Sequence, residues 1–334
     1  MALLEARGVS VVYQPNRGQR IWAVRDVDVS LDQGEFVGIV GESGCGKTTL
    51  GYALTRMLRP PARLDGGVIR FNGTDIASLT GEGLRRQRRN GFALVLQSGM
   101  NALNPVRTVE HQIGDVLKAH AGPGDDVTKA GIHQRGTELL EAVRLEPDVL
   151  SRFAHELSGG MRQRVSIALA LALQPRLIVF DEPTTALDVI VQQAVMQTIK
   201  DLQRDRGFTA ILISHDLGVV LETTDRVMVM YAGQIVEDQP SGAIATGPHH
   251  PYTEALLDCY GDPRADVVQL SGIPGTPPDL SLPQQGCSFA PRCPLVEEVC
   301  RTEDPALTPL GRGLAACHVR ARAARVEVEA GHVG

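Results

Sequence analysis

The chain has 334 residues, 43% hydrophobic and 22% charged, a balance that fits a soluble globular protein with room for one large or two smaller domains and excludes disordered or fibrous classes. It holds no run of eighteen apolar residues, and its first residues, Met1-Ala-Leu-Leu-Glu-Ala-Arg7, lack the pattern of a signal peptide, so neither a membrane span nor export is expected. A formal net charge of −6 argues against nucleic acid as a partner, which leaves the basic run Arg85-Arg86-Gln87-Arg88-Arg89 as a solvated helix face.

Taken in chain order, Val9 to Tyr13 and the alternating stretch Val24 to Leu31 read as two strands joined by a hairpin at Asn16, Arg17 and Gly18. Glu35 to Val40 is an apolar strand. It leads into Gly41-Glu42-Ser43-Gly44-Cys45-Gly46-Lys47-Thr48, a G-x-x-x-x-G-K-[ST] loop, and a helical pattern opens at Thr48. Strand, loop and helix in this order predict a phosphate cradle rather than a flexible glycine turn. Backbone N–H groups would point inward as an anion nest, Lys47 would reach the β- and γ-phosphates, and Thr48 would offer its hydroxyl to magnesium.

Strands are expected near Gly67 to Phe71 and over Phe92 to Leu96, the latter leading to Gln97, with a mostly helical stretch from about Asn101 to Gln174. Within it Leu157-Ser158-Gly159-Gly160-Met161 places an N-capping serine and two glycines at the start of a helix. Paired glycines there are costly unless a ligand needs the backbone close. The pattern reads as a second anion-binding helix end in a chain with one phosphate loop, and hence as a head-to-tail dimer in which it closes on the partner's nucleotide.

Leu177-Ile-Val-Phe180 is a continuous apolar run of the kind buried in a parallel sheet, and it ends in Asp181 and Glu182. Asp181 is suited to hold magnesium and Glu182 to polarise an attacking water. A helix from Val189, a buried strand over Thr209 to Ser214, and strands near Arg226 to Met230 and Gln234 to Glu237 complete an α/β domain at about residue 245. An extension runs from 246 to 334; after residue 260 its composition turns proline-rich, with a short helix expected over His318 to Glu329. This region holds Cys287, Cys293, Cys300 and Cys317. Cys45 and Cys259 read as incidental small residues.

The order of the phosphate loop, Gln97, Leu157 to Met161, Asp181-Glu182, Asp188 and His215 resembles the ATP-binding cassette (ABC) ATPases of transporters over about residues 5–245. The resemblance implies a P-loop NTPase core carrying an inserted helical subdomain and a small irregular C-terminal extension. It implies nucleotide contacts from Gly41, Ser43, Gly44, Cys45, Gly46, Lys47, Thr48 and Thr49, and magnesium held with Gln97, Thr48 and Asp181. His215 would contact the γ-phosphate and hold the attacking water, and Asp188 would lie at the dimer interface. Tyr13 is favoured over Trp22 as the platform for adenine. Met161, where many cassettes carry Gln, resembles the peptide-importer branch. So do Pro248-His249-His250-Pro251-Tyr252, Ile273-Pro274-Gly275-Thr276-Pro277-Pro278 and Gly286-Cys287-Ser288-Phe289-Ala290-Pro291-Arg292-Cys293.

That branch implies ATP hydrolysis driving uptake of dipeptides or oligopeptides, with nickel or another small solute as the alternative and a soluble non-transport ATPase as a remote one. The implied partners are a second ATPase subunit (a paralogue), two membrane permeases and an extracytoplasmic solute-binding protein, with this chain peripheral on the cytoplasmic face of the cell membrane. Four clustered thiols in a segment with little core of its own lead to the expectation of a structural [4Fe–4S] cluster, with zinc and four free thiols as the alternatives.

Overall fold

A computed structural model describes residues 2–15, 18–97, 102–122, 124–259 and 272–331. The expected turn at Asn16 and Arg17, the Asn101 start of the helical stretch and the first part of the proline-rich segment lie outside the described residues. The chain divides into two compact units.

The first unit comprises Met1–Leu3, Leu31–Phe36 and Phe71–Leu212. Its strands Phe92–Val95 and Leu177–Asp181 pair in parallel, Phe92 opposite Leu177 and Val95 opposite Phe180, and Thr209–Ile213 lies on the other side of Leu177–Asp181. Every residue of Leu177–Asp181 and Thr209–Ile213 is buried, which is why both read as unbroken apolar runs rather than alternating ones. Around them stand the helices Val109–His120, Lys129–Ala142, Gly159–Leu171 and Val189–Arg206. Each starts where the sequence supplies a short oxygen-bearing side chain. Thr108, Thr128, Ser158 and Asp188 accept the N–H of His111, Gly131, Met161 and Val191 respectively. Such a cap contributes about 1 kcal/mol and fixes the residue at which the helix opens.

The second unit comprises Leu4–Ser30, Val37–Arg70 and Ile213–Gly334. In it Ala2–Tyr13 lies between Ile21–Asp32 and Ala62–Phe71. Phe36–Val40 pairs in parallel with Arg226–Tyr231, which runs antiparallel to Gln234–Pro240. The C-terminal extension joins this sheet. Gly313–Ala315 pairs with Gln234–Pro240, and Thr308–Leu310 pairs with Gly313–Ala315. Phe289 of the extension packs against Tyr231 and Tyr252 with ring centroids 5.3 and 5.4 Å away.

Candidate functional site

In the second unit the phosphate loop follows Phe36–Val40, and helix Lys47–Leu54 opens directly from it. Two glycines are fixed by close approach. A Cβ on Gly41 would lie 2.1 Å from the Met230 carbonyl oxygen, and one on Gly46 (φ 107°) would lie 2.1 Å from the Ala23 carbonyl oxygen. The helix has no side-chain cap and no acidic residue in its first turn, so its N–H groups and positive end face the loop. The buried Lys47 ammonium donates to the carbonyl oxygens of Gly41 (2.7 Å) and Glu42 (2.9 Å). Ser43 and Gly44 are exposed at the loop tip, Cys45 is buried, and Thr48 is half-buried.

The Tyr13 hydroxyl lies 3.0 Å from Thr49 Oγ1, which sets this ring beside the first turn of that helix. Trp22, the other aromatic considered, already carries the Arg20 guanidinium over its face at 4.3 Å. His215 is exposed, just beyond Ser214, and Asp216 after it caps the short helix Leu217–Thr223.

The first unit holds the carboxylates and the glycine pair. Asp181 is 1% exposed at the end of its strand. Glu182 has φ 45°, a left-handed conformation unusual for a residue with a Cβ. Its Oε2 accepts from Gln97 Nε2 (2.7 Å) and from the Thr185 hydroxyl (3.0 Å). Thr185 is a partner that sequence reasoning passed over, although the residue stands three positions after the carboxylate in Pro183-Thr184-Thr185. The Ser158 hydroxyl accepts from Met161 N–H, leaving Gly159 and Gly160 in the first turn of their helix. A Cβ on Gly160 would lie 2.5 Å from Val191 Cγ1, so the glycine also lets this helix end approach the one capped by Asp188. Val189 and Ile190, the next residues, are 71% and 79% exposed.

The iron–sulfur expectation for Cys287, Cys293, Cys300 and Cys317 does not hold. The four side chains border one small cavity with His250 and Phe289. Yet among the described residues no group of three or more His, Cys, Asp or Glu is arranged to hold a metal ion, so zinc finds no ligand set either. All four are free thiols. Burial pushes the Cys287 thiol up to about 11 and raises Cys293 and Cys317 as well, which favours the protonated form over the thiolate that metals bind. The expectation assumed a segment unable to fold without a staple. The extension instead borrows its core, through the pairing of Gly313–Ala315 with the sheet and the packing of Phe289 against the Tyr231–Tyr252 pair.

Residues 24–185 match the family described as ABC transporter, and residues 236–300 match the C-terminal region of oligopeptide/dipeptide transporters. The chain is 42% identical over 298 residues to the probable peptide ABC transporter ATP-binding protein y4tR of Sinorhizobium fredii, with 88% of each chain covered. It is 40% identical over 326 residues to the dipeptide transport ATP-binding protein DppD of Escherichia coli, covering 95% of this chain and 97% of that one. Among solved structures it is similar to a dimeric ATP-binding cassette in a post-hydrolysis state bound to ADP and Pi. The TM-score is 0.63 at 27% identity, covering 71% of this chain and 98% of that chain.

Proposed function

The chain belongs to the ATP-binding cassette ATPases of transporters, and from that membership we infer that it is the ATP-hydrolysing subunit of a peptide importer. The observation that carries the reading is the phosphate loop itself: a buried lysine ammonium resting on loop carbonyls beside an uncapped helix N-terminus. A triphosphate there would replace those carbonyls as the partner of Lys47 and meet the N–H groups of the first turn.

In this reading Gly41, Ser43 to Gly46, Lys47, Thr48 and Thr49 embrace the phosphates, and Tyr13 stacks on adenine. Magnesium, which the family implies, suits the donors offered by Thr48, Asp181 and Gln97, all hard oxygens; when bound it neutralises charge on the phosphates. Glu182 takes the proton of the attacking water as oxygen bonds to the γ-phosphorus and ADP leaves, and His215 holds that water. Gln97 and Thr185 aim the Glu182 carboxylate. Ser158, Gly159 and Gly160 serve the nucleotide of a second ATPase subunit, with Asp188 at the interface; the exposed Val189 and Ile190 beside it fit burial there. Two permease subunits and an exported solute-binding protein complete the importer. No helix among the described residues is long and apolar enough to cross a membrane, which fits a subunit attached to the cytoplasmic face.

The test is reconstitution in vesicles with the two permeases and the binding protein. Labelled dipeptide should accumulate only with ATP and the binding protein present. Accumulation of nickel with no peptide uptake would move the reading to the metal-importing branch.

A further inference from the structure

The second residue of the phosphate loop is gripped by the C-terminal extension. Arg292 meets Glu42 in a fork, Nη1 to Oε2 at 2.7 Å and Nη2 to Oε1 at 3.0 Å, and the Arg292 side chain is only 4% exposed. Its remaining donors are used as well. Nε donates to the Pro274 carbonyl (2.7 Å), Nη2 to the Ile273 carbonyl (3.2 Å) and Nη1 to the Tyr231 hydroxyl (3.3 Å), so all five guanidinium N–H groups find acceptors. The backbone of Glu42 is held too. Its N–H donates to the hydroxyl of the fully buried Tyr252 (2.8 Å), and its carbonyl accepts from Lys47 (2.9 Å). Every polar group of Glu42 is thereby fixed, two of them by residues beyond position 250.

We propose that Arg292, through Glu42, is a positioning residue for the phosphate loop, and that the extension serves to hold this loop in its nucleotide-receiving shape. The proposal rests on the reading of the loop as a nucleotide site. An exposed ion pair would contribute little, but a forked and buried one sets both distance and orientation, and removing either partner strands a charge. The anchored atoms also lie next to the working ones. The carbonyl that accepts from Lys47 and the N–H held by Tyr252 belong to Glu42 itself, the residue whose carboxylate the fork grips, so loss of the fork frees the strand-to-loop corner on which Lys47 rests. Such a displacement weakens nucleotide binding before it affects the chemical step.

The alternative role is mere docking of the extension, and it is distinguishable. Full-length wild type, Arg292→Gln, Arg292→Lys, Glu42→Gln and the Arg292→Gln/Glu42→Gln double variant are titrated with magnesium and a non-hydrolysable ATP analogue, with melting followed in parallel. KM for ATP and kcat are then measured in the reconstituted transporter. Positioning predicts a Kd and a KM raised about tenfold in Arg292→Gln, with kcat within about twofold. Arg292→Lys, which keeps charge without the fork, should fall between. Glu42→Gln should match Arg292→Gln, and the double variant should be no worse than either, because the two act as one unit. Variants that melt earlier yet bind the analogue as wild type does would overturn the proposal and leave docking alone. Wild type that fails to bind the analogue would instead refute the nucleotide reading, and the proposal with it.

Discussion

Two single residues carry unusual local states, and they have different consequences. Glu182 holds its carboxylate on Gln97 and Thr185 from a left-handed backbone (φ 45°), a conformation that costs roughly 1–3 kcal/mol in a residue other than glycine. Strain of that kind persists where the surroundings dictate it, and here the two hydrogen bonds do so. His250 is 1% exposed, with Nδ1 accepting from the Tyr252 N–H and the backbone of Ala316 on its other side. Burial lowers its pKa from 6.5 to about 4. Between those values the unfolded chain binds more protons than the folded one, so stability falls as pH drops from 6.5 to 4 and levels off below. The full effect is worth roughly 3 kcal/mol. Urea unfolding at pH 7, 5.5 and 4.5 should therefore show a steeper loss of stability in wild type than in His250→Gln, and equal slopes would refute the assignment. The loop motif and the strand-end carboxylates were legible residue by residue, because each needs fixed neighbours in sequence. The Arg292–Glu42 fork was not, since its partners stand 250 positions apart and nothing in the two strings that contain them points from one to the other.

At the scale of elements, the strands Leu177–Asp181 and Thr209–Ile213 could be read because strands buried on both faces leave unbroken apolar runs. Thr308–Leu310 and Gly313–Ala315 could not, since three residues are too few to display a period. The glycine pair at the Ser158-capped helix was read as access for a ligand, and the structure adds packing against Val191 as a second reason for Gly160. The two reasons separate experimentally. Gly160→Ala should destabilise the protein by about 1–3 kcal/mol through overpacking, and adding Val191→Ala should recover most of that loss. If the helix end also serves the partner's nucleotide, phosphate release stays impaired in the stable double variant. Hydrolysis that returns together with the melting temperature would reduce Gly160 to a packing residue.

For the molecule as a whole, the proposed cycle requires that closure of two subunits precede hydrolysis. Glu182→Gln keeps the shape and the hydrogen-bonding reach of the side chain but removes the base, so ATP should still bind while turnover drops about 10²-fold or more. Dimers should then accumulate with ATP in size-exclusion chromatography, and a monomeric profile with undiminished hydrolysis would argue against both roles. The α/β core was legible at this scale because motif order and strand burial agree. The cysteines misled because a segment judged by its own composition looked too poor to fold, whereas its core is shared with the sheet it joins. That junction has a further consequence. Gln234–Pro240 would otherwise offer an open row of backbone donors and acceptors to any passing strand, the ordinary beginning of aggregation. Gly313–Ala315 covers the middle of that row, at Glu237 and Asp238, and there the border passes to Thr308–Leu310, three residues with Pro309 at their centre. Proline has no N–H to extend a ladder, so this stretch of border is poorly suited to recruit another chain.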